Sequence, residues 1–142
     1  MNPQKKSVLF ICTHNAARSQ MAEALLNKLY GDRYTAFSAG TDPTQIDHLV
    51  VKVMREIGID VSSNQSKSLN IFQDVTLDYA ITLCDQAKES CPYFPGGNEH
   101  RHKGFPDPSE LKGKTEDVIN GYRSIRDEIH NWIEKEFLRE IV

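Results

Sequence analysis

Cys12 and Arg18 stand six positions apart in the run CTHNAARS, residues 12 to 19, and this pairing points to chemistry on an anion. A short turn between a strand and a helix can aim successive backbone N–H groups at one point. The helix N-terminus adds partial positive charge, so a tetrahedral oxyanion is favoured there. Arg18 can clamp two of its oxygens with a planar guanidinium. The same field stabilises a thiolate at Cys12, and the thiolate is the nucleophilic form, so binding and activation have one cause. Thr13, His14, Asn15, Ala16, Ala17, Arg18 and Ser19 are therefore the candidate oxyanion-binding residues. Asn15 tolerates the left-handed backbone a tight loop demands. The Ser19 hydroxyl can cap the helix or donate to the sulfur. His14 can add charge or hydrogen bonds but suits a surface position equally, and it is left out of the catalytic set. The competing reading is a buried Cys ending a strand and a solvated Arg beginning a helix; the strand, loop and helix context argues against it.

Two further cysteines, Cys84 and Cys91, enclose six residues, DQAKES. Fully extended, the seven steps between them span roughly 24 Å, so they can approach disulfide distance only if the segment bends. Both could be inert filler, or they could ligate zinc with His100 and His102, although the spacing lacks the short paired-Cys knuckle of structural zinc sites. Asp107 lies between Pro106 and Pro108, a rigid setting. It suits either a general acid for a departing oxygen or an ordinary turn aspartate.

The elements that must hold these residues follow from periodicity. Val8 to Ile11 is a continuous apolar stretch, as expected of a strand buried on both faces. Ala22, Leu25, Leu26 and Leu29 then share a helical face from Ser19 onward, with Gly31 as the stop. Residues 34 to 40 predict a second strand, and Ile46, Val50, Val53 and Ile57 a second helix ending at Gly58. Residues 66 to 72 suggest a short helix and residues 78 to 84 a third strand. Residues 85 to 112 are rich in Pro and Gly, are expected to be the most mobile part, and leave room for a short strand near 103 to 105. Thr115 is a candidate N-cap for a last helix carrying Val118, Tyr122, Ile125, Ile129 and Ile133. Strands alternating with helices predict an α/β three-layer architecture with ligands at the C-terminal strand ends, where Cys12 and Cys84 both fall.

Composition limits the rest. The 142 residues suit a single domain, 1 to 142. Hydrophobic residues at 39% and charged ones at 26% argue against disorder. A net charge of -3 gives no footprint for nucleic acid, and the apolar run VLFIC is too short for a signal core or a membrane span. Three cysteines are too few, and odd in number, for a secreted disulfide scaffold. A cytoplasmic location is the resulting expectation.

The signature of Cys12, five residues, then Arg18 and Ser19, followed by SQMAEAL, resembles the low-molecular-weight protein tyrosine phosphatase superfamily. Within it, SAG at 38 to 40, TLC at 82 to 84, CP at 91 to 92 and GFPDP at 104 to 108 resemble the thioredoxin-coupled arsenate reductases. The resemblance implies a phosphatase-like fold with a four-stranded parallel sheet flanked by helices. It also implies a three-cysteine relay. Cys12 attacks arsenate, Cys84 attacks Cys12 as arsenite leaves, and Cys91 attacks Cys84, leaving a disulfide for thioredoxin to reduce. Asp107 matches the family's general acid. Arsenate, with phosphate or sulfate as analogues, and thioredoxin are the implied partners. No cofactor or resident metal is expected, and a monomer suffices. Glutaredoxin with glutathione remains open as the electron source.

Three departures matter. Some members carry a second Cys before the loop Arg, where Ala17 stands here. Some build a potassium site whose Asn, Glu and Ser match Asn15, Glu23 and Ser38 but whose acid is replaced by Lys67, so no potassium requirement is expected. The phosphatases' aromatic pair after Asp-Pro is replaced by Ser109 and Glu110, leaving no slot for a tyrosine ring. The rival functions are a phosphatase, which needs Cys12 but not Cys84, and a non-catalytic anion- or zinc-binding module.

Overall fold

Val8, Leu9, Phe10 and Ile11 have no solvent exposure at all, because β1 (Lys6–Cys12) runs through the middle of a sheet covered on both faces. The computed structural model describes residues 5–141, with side chains to residue 139. β2 (Tyr34–Gly40), β3 (Tyr79–Thr82) and β4 (Glu99–His102) complete an all-parallel sheet in the order β2-β1-β3-β4. Successive side chains point to opposite faces. Val8 and Phe10 join one core with Met21 and Leu25 of α1 (Arg18–Tyr30), Val53 of α2 (His48–Arg55), and Ile129 and Phe137 of α3 (Thr115–Ile141). Leu9 and Ile11 pack on the other face beneath Leu69 and Phe72 of a 3-10 helix (Leu69–Phe72) and beneath Phe94. The three-layer α/β arrangement of four parallel strands is thus the observed one, with the second covering layer built from a short turn and a loop. No helix among the described residues is long and apolar enough to cross a membrane.

Several boundaries differ from those the periodicity predicts. The fourth strand forms at Glu99–His102 and not at 103 to 105. It is an edge strand in which Glu99, His100 and His102 are exposed and Arg101 lies over the Tyr79 ring, so it leaves no apolar trace in the sequence. α2 is shorter than its apolar spacing suggests. Asp47 caps it by accepting from the Leu49 N–H at 2.9 Å, which leaves Ile46 outside, and Ile57 lies beyond its end. Thr115 is the first residue of α3 and not its cap.

Strand order fixes where a ligand can enter. From β1 the chain crosses to β2 on one side, while from β3 it crosses to β4 on the other. The crevice at the C-terminal ends of β1 and β3 is therefore the topological switch point of the sheet. Ile11 pairs with Thr82, and the Leu83 N–H donates to the Ile11 carbonyl at 2.9 Å. The chain thus delivers Cys12 and Cys84 to the same edge from neighbouring strands.

Candidate active site

The loop between β1 and α1 is held by one buried residue in an unusual conformation. Asn15 has φ 51°, is fully buried, and is fixed at every polar atom of its side chain. Its Oδ1 accepts from Gln20 Nε2 at 3.0 Å and from the Lys67 N–H at 2.8 Å, and its carbonyl accepts from Ser66 Oγ at 2.8 Å. Its Nδ2 donates to Ser19 Oγ at 2.8 Å. Ser19 Oγ also lies 2.8 Å from Cys12 Sγ, and a thiolate there can only accept from the hydroxyl. Of the two roles expected for Ser19, the hydroxyl therefore serves the sulfur. Ala17, the N-cap of α1, makes no side-chain cap, so the first-turn N–H groups remain for an anion.

β2 closes on this loop from behind. A Cβ at Gly40 would lie 2.4 Å from the Thr13 carbonyl oxygen and 2.8 Å from that of Cys12. The last residue of the SAG run must therefore be glycine for the strand to pass so near the loop.

Arg18 is only 4% exposed and donates from Nη1 to the Phe105 carbonyl at 3.1 Å. Its fork also meets Glu89, Nη1 to Oε2 at 2.6 Å and Nη2 to Oε1 at 2.9 Å. Burial works against the guanidinium charge, but hydrogen bonding to Glu89 and the nearness of Cys12 and Asp107 outweigh it and raise its pKa. Burial likewise opposes the Glu89 carboxylate; the bonds from Arg18 and from the Asp85 N–H prevail and hold it below its ordinary range. Asp107 reaches the same guanidinium more loosely, Oδ2 to Nη2 at 3.9 Å. Its Oδ1 accepts from the Ser109 N–H at 2.9 Å and from Ser109 Oγ at 2.8 Å, which aims the other oxygen at the loop. Cys12, His14, Ala17, Arg18, Asp47, Asp107 and Ser109 line a cleft of about 50 Å³. His14 turns Nδ1 to the Asp42 carbonyl at 3.0 Å.

Cys84 and Cys91 form a disulfide, with their Cα atoms 5.7 Å apart, while Cys12 is a buried free thiol. The expected bend is a compact turn in which the Lys88 and Glu89 N–H groups donate to the Asp85 carbonyl at 3.0 and 2.9 Å. His102 offers a ring nitrogen within 4.8 Å of both sulfurs, but His100 bonds the Gly96 carbonyl instead. With the sulfurs joined to each other, neither is a thiolate ligand, so the four-residue zinc set is not assembled.

Beneath the loop, Lys67 Nζ stands 3.7 Å from Glu23 Oε1, 3.5 Å from Ser38 Oγ and 3.3 Å from the Gln65 carbonyl. Burial raises the Glu23 pKa, and Lys67 pulls it partly back. Sequence reasoning missed Glu89 as a partner of Arg18, since nothing marks it within DQAKES. It also missed Tyr122, whose hydroxyl donates to Asp47, next to the point where the Asp47 N–H meets the Ala16 carbonyl at 3.0 Å.

Residues 7–141 match the low molecular weight phosphotyrosine protein phosphatase family. The arsenate reductase of Halalkalibacterium halodurans is 39% identical over 125 residues, covering 88% of this chain and 90% of that protein. The arsenate reductase structure from Archaeoglobus fulgidus superposes with a TM-score of 0.76 at 27% identity, covering 90% of this chain and 96% of that one. The thioredoxin-dependent arsenate reductase of Corynebacterium glutamicum gives 0.60 at 29% identity, covering 96% of this chain and 65% of that longer one.

Proposed function

This chain belongs to the low molecular weight phosphotyrosine protein phosphatase family, and from that premise we propose that it is an arsenate reductase working through three cysteines with thioredoxin as reductant. The observation that carries the reading is the Cys84–Cys91 disulfide at the same strand edge as a free Cys12 and its Arg18 clamp. Ester hydrolysis needs one nucleophilic sulfur; a two-electron reduction needs a source of electrons, and a dithiol is one.

In the proposed sequence, the Cys12 thiolate, supported by the Ser19 hydroxyl, attacks arsenic while Arg18 and the loop N–H groups hold the oxyanion. Asp107 protonates the departing oxygen, which leaves as water. The Cys84 thiolate then attacks Cys12 Sγ. The sulfur–arsenic bond breaks, its electron pair stays on arsenic, and arsenite departs from a Cys12–Cys84 disulfide. The Cys91 thiolate attacks Cys84 and releases Cys12 as a thiolate, giving the Cys84–Cys91 pair. Cys91 is less buried than Cys84, and Pro92, Tyr93 and Phe94 beside it border an apolar hollow of about 330 Å³. Tyr93 is 83% exposed. These features suit docking of an external dithiol protein. A reducing cytoplasm and a monomer complete the reading.

The test is arsenate-dependent NADPH oxidation in the presence of thioredoxin and thioredoxin reductase, with phosphatase activity assayed alongside. Turnover should vanish in Cys12→Ser, Cys84→Ser and Cys91→Ser. Phosphatase activity that needs Cys12 alone, without arsenate-dependent oxidation, would make the chain a phosphatase instead.

A further inference from the structure

The group assigned to the incoming oxyanion is already gripped by a carboxylate of the same chain. Arg18 and Glu89 meet fork to fork at 2.6 and 2.9 Å, the bidentate geometry that two oxygens of a tetrahedral anion would take. The reaction gives Glu89 no task. It reaches Arg18 because of how residues 84 to 91 are folded. The Asp85 N–H donates to Glu89 Oε2 at 3.0 Å, the Glu89 N–H donates back to the Asp85 carbonyl at 2.9 Å, and the disulfide pins the two ends of the segment. Arg18 is buried and tied to the Phe105 carbonyl, so it cannot swing away to bind an anion elsewhere.

We propose that Glu89 is an internal oxyanion that fills the Arg18 clamp while the Cys84–Cys91 disulfide is closed and gives way to substrate when a dithiol opens it. The proposal rests on the reading of Arg18 as the oxyanion clamp. One guanidinium edge cannot serve two bidentate partners, and a second anion entering beside Glu89 meets like charge. The spent protein still holds a free Cys12 but has no resolving thiol. An arsenate adduct formed then could not proceed, and Glu89 keeps the loop closed to it. By linkage, the coupling is reciprocal. If closing the disulfide weakens anion binding, then bound anion favours the dithiol by the same factor.

Inorganic phosphate, which thiols do not reduce, is the probe, titrated calorimetrically into the whole protein in its disulfide form and after phosphine reduction. Reduced wild type should bind phosphate about tenfold or more tightly than the disulfide form, the scale of one charge-assisted pair. Glu89→Gln should restore tight binding to the disulfide form and leave the reduced form within about twofold of wild type. Saturating phosphate should also raise the Cys84–Cys91 midpoint potential in wild type, by about 30 mV per tenfold difference in affinity, and should not do so in Glu89→Gln. Equal phosphate affinity in the two redox forms of wild type, or no gain in Glu89→Gln, overturns the proposal while leaving the clamp in place. A reduced wild type that binds no phosphate, or an Arg18→Ala protein that binds it undiminished, sinks the clamp reading and this proposal with it.

Discussion

Lys67→Met tests whether a built-in ammonium braces the underside of the anion loop. Its Nζ lies 3.7 Å from Glu23 Oε1, with the two side chains 29% and 15% exposed. At an effective dielectric of about 20, unit charges at that distance attract by about 4.5 kcal/mol. Desolvation of both partners and solvent reaching the lysine cancel part of this, leaving about 2 kcal/mol. In a chain of 142 residues that loss lowers Tm by about 4–10 °C. The pH dependence gives a sharper signature. Burial holds the folded Glu23 pKa above its ordinary 4.5, against the pull of Lys67. A carboxyl raised in the folded state contributes stability that is fully present below its unfolded pKa and is lost as pH rises through the folded value. Removing Lys67 raises Glu23 further and deepens that loss at neutral pH, but changes nothing once the carboxyl is protonated in both states. Thermal melts followed by circular dichroism should therefore show a gap between wild type and variant that is wide at about pH 7 and closes as pH falls through the raised folded Glu23 pKa toward about 4.5. A gap of the same size at every pH, or none, would refute the ammonium's role.

Lys67→Asp should exchange the ammonium for a fourth oxygen ligand beside Asn15, Glu23 and Ser38, so potassium should raise the Tm of the variant and leave that of wild type unchanged. Asp107→Asn should slow arsenate turnover about 10²–10⁴-fold in the coupled NADPH assay while the reduced protein still binds phosphate. Equal losses in binding and turnover would make Asp107 a positioning residue. Glu56 is held at a pKa of about 2, chiefly by hydrogen bonding to Arg123, then to Arg126, against some burial. Its contribution to stability is present above the ordinary 4.5 and is lost as pH falls through about 2. Urea melts should find that Glu56→Gln flattens the acid side of the stability profile in that window.

The sequence carried the parts of this fold that obey a period or a steric requirement. Val8 to Ile11 announced a doubly buried strand because both of its faces needed apolar cover. The left-handed Asn15 was legible because few residue types satisfy that position, whereas Gly40 stood in the sequence only as the end of the SAG run and its close approach to the loop emerged with the fold. β4 left no such mark, since its four residues lie on an edge where the backbone does the pairing, Glu99, His100 and His102 meet water, and Arg101 covers the Tyr79 ring with a charged side chain. Glu89 was invisible for a different reason. Its partner is 71 residues away, and only the fold of the 84–91 turn decides whether a glutamate there faces solvent or a buried guanidinium.

The proposed coupling between sulfur chemistry and anion binding has its basis in topology. At the switch point of a β2-β1-β3-β4 sheet, the chain leaving β1 must wrap a ligand, and the chain leaving β3 must pass over that ligand on its way to β4. Whatever fixes the second segment is therefore felt by the first. Here the second segment carries two cysteines seven residues apart and, between them, one carboxylate long enough to reach Arg18. On the proposal above, making or breaking one sulfur–sulfur bond decides which anion Arg18 holds. An esterase on the same scaffold keeps its clamp open after every turnover. A three-cysteine reductase gains from closing it, because its loop nucleophile is regenerated before its electrons are replaced.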